Sequence, residues 1–370
     1  MADRLGFSRR LRRTPFTLSA EKAGVTEFSV VNHMLLPKSY GRSAEEDYWH
    51  LREHVQVWDV ACQRQVQIQG PDAARLVQWM TPRDISCAEV GDCLYVPITD
   101  DTGGMVNDPV LLKLAEDRFW LSAADSDLLL FAKGLSLGRG LEATIDEPDV
   151  SPLAIQGPKA EPLLAGLFGV HIRDIGFFKF GWIEFSGTRQ LIARSGYSLQ
   201  GGFEIYLDGG HLGGDLWDAV WQAGQAYEIA PGCPNLIERI EGGLLSYGNE
   251  MTRENTPLEI GLGKFCSLDG SVDCLGREAL QRVAEVGVSR QIRGVLFDGD
   301  PCPTCAEPWP VHVGALPVGQ ITSATWSPRL KRNVGLSLID RPFWDADQSV
   351  VVHCIDGTTR NGEVSDLPFS

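Results

Sequence analysis

The chain has 370 residues (40.6 kDa), 43% hydrophobic and 22% charged, a composition that suits a globular protein with two or three cores. A formal net charge of −16 and a pI near 4.9 exclude nucleic acid and anionic membranes as partners, since both call for a basic surface. No apolar run approaches the about 18 residues of a spanning helix. The nine cysteines, odd in number and scattered, read as thiols of a reducing cytoplasm and not as a disulfide framework.

In chain order, "MADRLGFSRRLRRTPFT" carries five arginines and no signal-peptide core, so residues 1–24 are expected to form a flexible arm. "SAEEDYWHLREHVQVWDVA" predicts a helix capped by Ser43, with Glu46 three residues on completing a capping box. An internal echo follows. "IQGPDAARLVQWM" (68–80) and "IQGPKAEPLLAGLFG" (155–169) each read as strand, tight Gly-Pro turn and helix, with Leu76, Val77, Met80 and Leu163, Leu164, Leu167 at helical spacing. Short strands come after each copy: "CLYVPITD" and "MVNDPVLLKL", then "WIEFSG" and "GGFEIYLDG". This gives two related α+β halves, residues 25–150 and 151–280, the second closed by the helical "PNLIERIEGGLLSYGNE". Residues 281–370 are short strand candidates between Gly and Pro turns and predict a small β-barrel.

Within "GGMVNDPVLLKL" (103–114), a period of two places Asp108 on the same side as Val106, Val110, Leu112 and Leu114. A carboxylate aimed inward must be paired or put to use, because burying an unpaired charge is expensive. Either it caps a neighbouring loop or it does chemistry. Asp100 and Asp101, in the turn "DDTGG", read as solvated turn formers. Cys302 and Cys305, in "PCPTCAEP", read as loop cysteines; a zinc site would need a second ligand pair, for which His353 and Cys354 are the adjacent candidates. No G-x-G-x-x-G follows a strand and opens a helix, and there is no convincing metal-ligand cluster, so no metal, flavin or nicotinamide is expected.

Six motifs in order, "TDDTGGMVNDPV", "LAIQGPKA", "RSGYSLQGGFEIYL", "ERIEGGLLSYGNEMTRENTPLEIGLG", "LGREAL" and "VGQITSATWSPRLKRNVGLSLI", resemble the folate-dependent aminomethyltransferase family, the T-protein of glycine cleavage and its relatives. The resemblance implies an α+β cloverleaf of three domains, two related α/β halves plus a C-terminal β-barrel, around a funnel that holds tetrahydrofolate. Within the family the wording is most similar to that of dimethylsulfoniopropionate demethylases, in "VNHMLLP", "EDYWHLREHVQVWDVA" and "CLYVPITDDTGGMVNDPVLLKLAEDRFWLS". Where T-proteins carry Gly-Tyr-Thr-Gly-Glu this chain has "GYSLQ", and their Asp-x-Ser-His is "WDVACQ". The implied reaction is methyl transfer from a small sulfonium zwitterion to N5 of tetrahydrofolate. Other one-carbon transferases (the glycine-cleavage component or an aryl-ether O-demethylase) are the alternatives. So is a non-enzymatic folate binder of iron–sulfur assembly, whose Lys-Gly-Cys-aromatic-x-Gly-Gln-Glu motif is absent.

The resemblance places Asp108 beside N5. It puts Glu204 on the amino-pyrimidine edge of the pterin; the residue pattern alone reads it as a polar-face residue opposite Phe203, Ile205 and Leu207. It puts Tyr197 in the folate pocket and Phe177 stacked on the pterin, with Gln200 able to bond a pterin edge. Arg239 either holds Asp108 or the pterin carbonyl, or is a helix-surface partner of Glu238 or Glu241. Trp326 falls in a barrel motif whose facing pocket is open. For the sulfonium, aromatic faces are the expected recognition element; Tyr95, Phe178 and Trp182 are candidates, each also readable as core. His33 is either a holder of the substrate carboxylate or a structural histidine. The sequence leaves the oligomeric state open, a homodimer included.

Overall fold

The computed structural model describes residues 8–125 and 127–369. Both copies of the Ile-Gln-Gly-Pro echo fold as expected. Strand Arg64–Gln69 turns into helix Ala73–Met80, and strand Val150–Gln156 turns into helix Ala160–Phe168. The glycine is required in both turns. Gly70 and Gly157 have φ of +128° and +118°, and a Cβ would come within 2.9 Å of Glu142 O and 2.4 Å of His54 O respectively. The Ser43 capping box is present at the start of helix Ala44–Glu53.

Each echo belongs to a sheet with helices on its outer face. The first sheet has five strands: Thr144–Asp146, Arg64–Gln69, Arg118–Ala123, Val110–Ala115 and Cys93–Tyr95, in spatial order. Its outer face packs Val66, Ile68, Leu111, Phe119 and Leu121 against Leu76, Val77, Met80 and Leu128 of two helices. The six-stranded sheet runs Phe180–Phe185, Thr188–Ala193, Gly202–Asp208, Val150–Gln156, Val55–Asp59 and Ile229–Gly232. Here Phe203, Ile205 and Leu207 pack against Leu163, Leu164, Leu216, Trp217 and Val220. Strand Val55–Asp59, from the first expected half, is therefore built into the second sheet, antiparallel to Val150–Gln156.

The inner faces of the two sheets meet in a thin buried layer. Cys93, Leu112 and Trp120 come from one side, and Leu191, Ala193 and Tyr206 from the other. The third unit is a closed six-stranded barrel formed by strands between Arg290 and Ser365. A separate apolar cluster joins all three parts: Met105 and Tyr95, then Ile240 and Met251, then Val334, Leu336 and Phe369.

Two expectations are corrected. The arm is not free over its described length: Phe16 is fully buried under the six-stranded sheet, helix Thr17–Lys22 follows it, and the Thr14 hydroxyl donates to Asp59 Oδ2 at 2.5 Å. An arginine-rich composition concealed this anchor; residues 1–7 lie outside the described residues. Asp100 is not a solvated turn residue. It is buried, and its Oδ1 accepts from Thr102 N, Thr102 Oγ1 and Gly104 N at 2.9, 2.7 and 3.0 Å. Among the described residues no helix is long and apolar enough to cross a membrane.

Candidate active site

The site begins at a flaw in a hairpin. Strands Cys93–Tyr95 and Ile98–Thr99 run beside Met105–Asn107 and Val110–Ala115, and the ladder is broken on both sides at the same level. Each break holds a proline, Pro97 and Pro109. Proline has no N–H for a ladder, and it restricts the residue before it. Asp108 precedes Pro109 and so stands between strands, not within one. The continuous alternation expected through it fails: Val106 packs in the helix-side core, while Val110, Leu112 and Leu114 face the layer between sheets.

Off the ladder, Asp108 points into the junction. Its Oδ2 accepts from the Tyr95 hydroxyl at 2.7 Å. The residue as a whole is half-buried, but Oδ1 is sealed from solvent and has no hydrogen-bond partner among the described residues. Burial pushes the carboxyl up to about 7; the Tyr95 bond and the residue's own backbone N–H oppose this, and the charge of Glu250 adds to it. A buried oxygen left open in this way is rare, and it invites a donor.

Glu204 lies in strand Gly202–Asp208, 5% exposed, on the face turned to the inter-sheet layer. The Ser195 hydroxyl donates to its Oε2 at 2.5 Å. Burial raises its carboxyl above the usual range, and Ser195 pulls it partly back. The loop carrying Ser195 and Tyr197 is held by the second echo's glutamine: Gln156 Nε2 donates to Ser195 O at 3.1 Å, and Ser198 Oγ donates to Gln156 Oε1 at 2.8 Å. Cys93, whose buried thiol feels the Glu204 charge, and Tyr95 lie on one side of the same three-residue strand. The two acids thus flank one strand face.

Arg239 neither holds Asp108 nor sits on a helix surface. It is 6% exposed; Nη1 donates to Glu250 Oε2 at 2.8 Å and to Leu244 O at 3.1 Å, and Nη2 donates to Ser323 Oγ at 2.6 Å. Glu250 also accepts from Ser246 N, from Thr322 Oγ1 at 3.2 Å and from Ser323 Oγ, which ties the middle segment to the barrel. Glu250, Ser195 and Ser323 escaped the sequence reading because each is paired over a distance that no local pattern encodes.

The Tyr197 hydroxyl donates to Leu245 O at 2.5 Å. Gln200 spends its amide on Glu238, Nε2 to Oε1 at 2.6 Å, beside a cavity of about 330 Å³ that Glu241 and Arg329 also line. Phe177 is 77% exposed, its ring 4.9 Å from that of Phe178, so it is not a core residue. Phe178 is packed at the edge of the inter-sheet layer. Trp182 already carries a cation, the Arg189 guanidinium 4.3 Å from its ring centre. Trp326 is half-buried on strand Leu316–Ser327, between Ser323, which binds Glu250, and Ser327, which binds Glu241. His33 is an exposed turn residue with φ of +60°, its carbonyl accepting from Arg12 N. Cys302 and Cys305 pack against the barrel core, and no group of three metal-ligating side chains occurs among the described residues.

Residues 17–270 match the family model for the GCVT N-terminal domain, and residues 290–370 match that for the glycine cleavage T-protein C-terminal barrel domain. The chain belongs to the glycine-cleavage T-protein (aminomethyltransferase) family. It is 50% identical over 359 residues to dimethylsulfoniopropionate demethylase DmdA of Ruegeria pomeroyi, covering 96% of this chain and 98% of that protein. An aminomethyltransferase of Listeria monocytogenes is 32% identical over 307 residues, 82% of this chain and 83% of that one. The fold is that of the glycine cleavage system aminomethyltransferase T of Bartonella henselae (TM-score 0.87, 22% identity, 97% and 98% coverage).

Proposed function

We propose that the protein is a tetrahydrofolate-dependent demethylase that moves a methyl group from dimethylsulfoniopropionate to N5 of tetrahydrofolate, giving 3-(methylthio)propionate and 5-methyltetrahydrofolate. The observation that carries the reading is the 50% identity to the demethylase over nearly the whole of both chains. The site's chemistry fits it. Reduced folate presents N–H donors at N5 and on its pyrimidine edge, and this chain offers two buried carboxyls with little other occupation, Asp108 and Glu204. Glu204 would read the pyrimidine edge, where a carboxylate accepts parallel N–H bonds.

Transfer breaks one S–CH3 bond, whose electron pair stays on sulfur as a neutral thioether, and forms one N–CH3 bond. A thioether leaves unaided, so the protein supplies no acid to the donor. It aligns the two reactants, and Asp108 Oδ1 accepts the proton that N5 releases. A carboxyl near 7 is well matched to that role at neutral pH. A cytoplasmic setting belongs to the proposal, and nine free thiols fit it.

The aminomethyltransferase relatives favour a second reading, aminomethyl transfer. Against it, Gln200 donates to the buried Glu238, a contact that a glutamate in its place could not make. The test supplies methyl-labelled dimethylsulfoniopropionate and tetrahydrofolate to the purified protein. Label in 5-methyltetrahydrofolate with stoichiometric 3-(methylthio)propionate is the expected result. Turnover with an aminomethylated carrier protein, and none with the sulfonium, would overturn the proposal.

A further inference from the structure

The sequence pattern offers Tyr95 as an aromatic face for a cation, but its position in the fold points elsewhere. The ring stands edge-on to Phe265, centroids 5.7 Å apart, in the cluster that joins the three units. The hydroxyl is directed at Asp108 Oδ2, 2.7 Å away. Burial, with the adjacent Asp108 charge, keeps the phenol protonated, so it serves as a fixed donor. Both residues sit at the paired proline break, where the ladder no longer constrains a side chain on the Asp108 side. Asp108 would otherwise be free to turn about its side-chain torsions and present either oxygen.

We propose that Tyr95 is a positioning residue: its hydroxyl ties down Oδ2 of Asp108 and leaves Oδ1, buried in the ligand-free protein, as the single unbonded oxygen for a ligand donor to reach. This deepens the reading of the site given above and rests on it for the identity of the ligand. The other ionisable groups that reach Asp108 are Glu250, Tyr197 and Tyr247. Glu250 is saturated by Arg239, Thr322, Ser323 and Ser246 N, and the Tyr197 hydroxyl is committed to Leu245 O. The Tyr247 hydroxyl donates to Met105 O at 3.3 Å. Tyr95 is thus the side-chain hydroxyl that holds Asp108, and its effect on the acid is separable from theirs.

Tyr95→Phe keeps the ring and the Phe265 contact and removes the donor. The Asp108 carboxyl is followed by infrared pH titration of the ligand-free protein, as the band lost in Asp108→Asn. In Tyr95→Phe its midpoint should move upward, because the lost bond stabilised the anion, by on the order of one pH unit. The acid limb of single-turnover methyl transfer should move by the same amount, and the alkaline plateau should fall as well, because the carboxyl is no longer held in one orientation. A melting curve on each variant confirms folding, and Ser195→Ala, which removes a hydroxyl from Glu204 instead, should leave the Asp108 midpoint in place. An unmoved midpoint in folded Tyr95→Phe would overturn the proposal. The titration uses no substrate. A shifted midpoint in a protein that transfers no methyl therefore refutes the assigned reaction alone, and an unmoved midpoint in an active protein refutes the role of Tyr95 alone.

Discussion

Two carboxylates at the three-way junction, Asp108 and Glu250, are built in opposite ways. Glu250 is 1% exposed, and both its oxygens are filled by Arg239, Ser246 N, Thr322 and Ser323. Asp108 has one oxygen on Tyr95 and the other on nothing among the described residues. Burying a charge is tolerable when every acceptor position is occupied and expensive when one is open. Glu250 therefore reads as a rivet between the middle segment and the barrel, and Asp108 as a group held ready at a cost to stability.

The sharpest way to break this contrast is to neutralise each acid in turn. Asp108→Asn keeps the size and removes the charge; single-turnover methyl transfer should slow by about 10²–10⁴-fold, the scale for a positioned acid–base group, with little loss of melting temperature. Glu250→Gln leaves Arg239 buried without its counter-charge, and denaturant melts should show a loss of roughly 3–5 kcal/mol. If the two variants exchanged phenotypes, the assignment of roles would be reversed. Glu204→Gln should weaken reduced-folate binding by about 1–3 kcal/mol in calorimetry, as expected when a charged acceptor is lost; equal affinity would remove Glu204 from the pyrimidine edge.

A separate effect is on the pH dependence of stability. The Asp108 carboxyl sits near 7 in the folded protein and at about 3.9 in an unfolded chain. Between those values the folded state binds more protons, so the contribution of Asp108 to stability falls as pH rises through that window. The melting temperature of Asp108→Asn, relative to wild type, should therefore climb between about pH 4 and pH 7 and level off above that. Asp59, also pushed to about 7 by burial, has the same sign but is present in both proteins and cancels in the difference.

Much of this architecture was legible in the chain. Period and turn residues are local, so the echo, the Ser43 cap and the barrel strands could be read directly, and the ordered motifs marked Asp108 and Glu204. Pro97 and Pro109 were also in plain view, and they explain why the alternation through Asp108 fails. What could not be read is long-range. Strand Val55–Asp59 joins the second sheet through residues about a hundred positions away, Thr14 reaches Asp59 across 45 positions, and Arg239 finds Ser323 across 84. Nothing in "ERIEGG" distinguishes an arginine bound for Glu250 from one on a helix surface. The hydroxyl of Tyr95 was equally silent, because a tyrosine near a proline looks the same whether its ring or its oxygen is in use.

The open oxygen of Asp108 can be tested by counting protons. With burial pushing it up to about 7, the ligand-free carboxyl is partly protonated at neutral pH, and an N–H donor arriving at Oδ1 favours the anion. Calorimetric binding of tetrahydrofolate in buffers of different ionisation enthalpy should therefore show proton release in the wild type that is missing in Asp108→Asn. The same proton count in both proteins would mean that the ligand does not reach Oδ1, and that Asp108 is a buried structural acid after all.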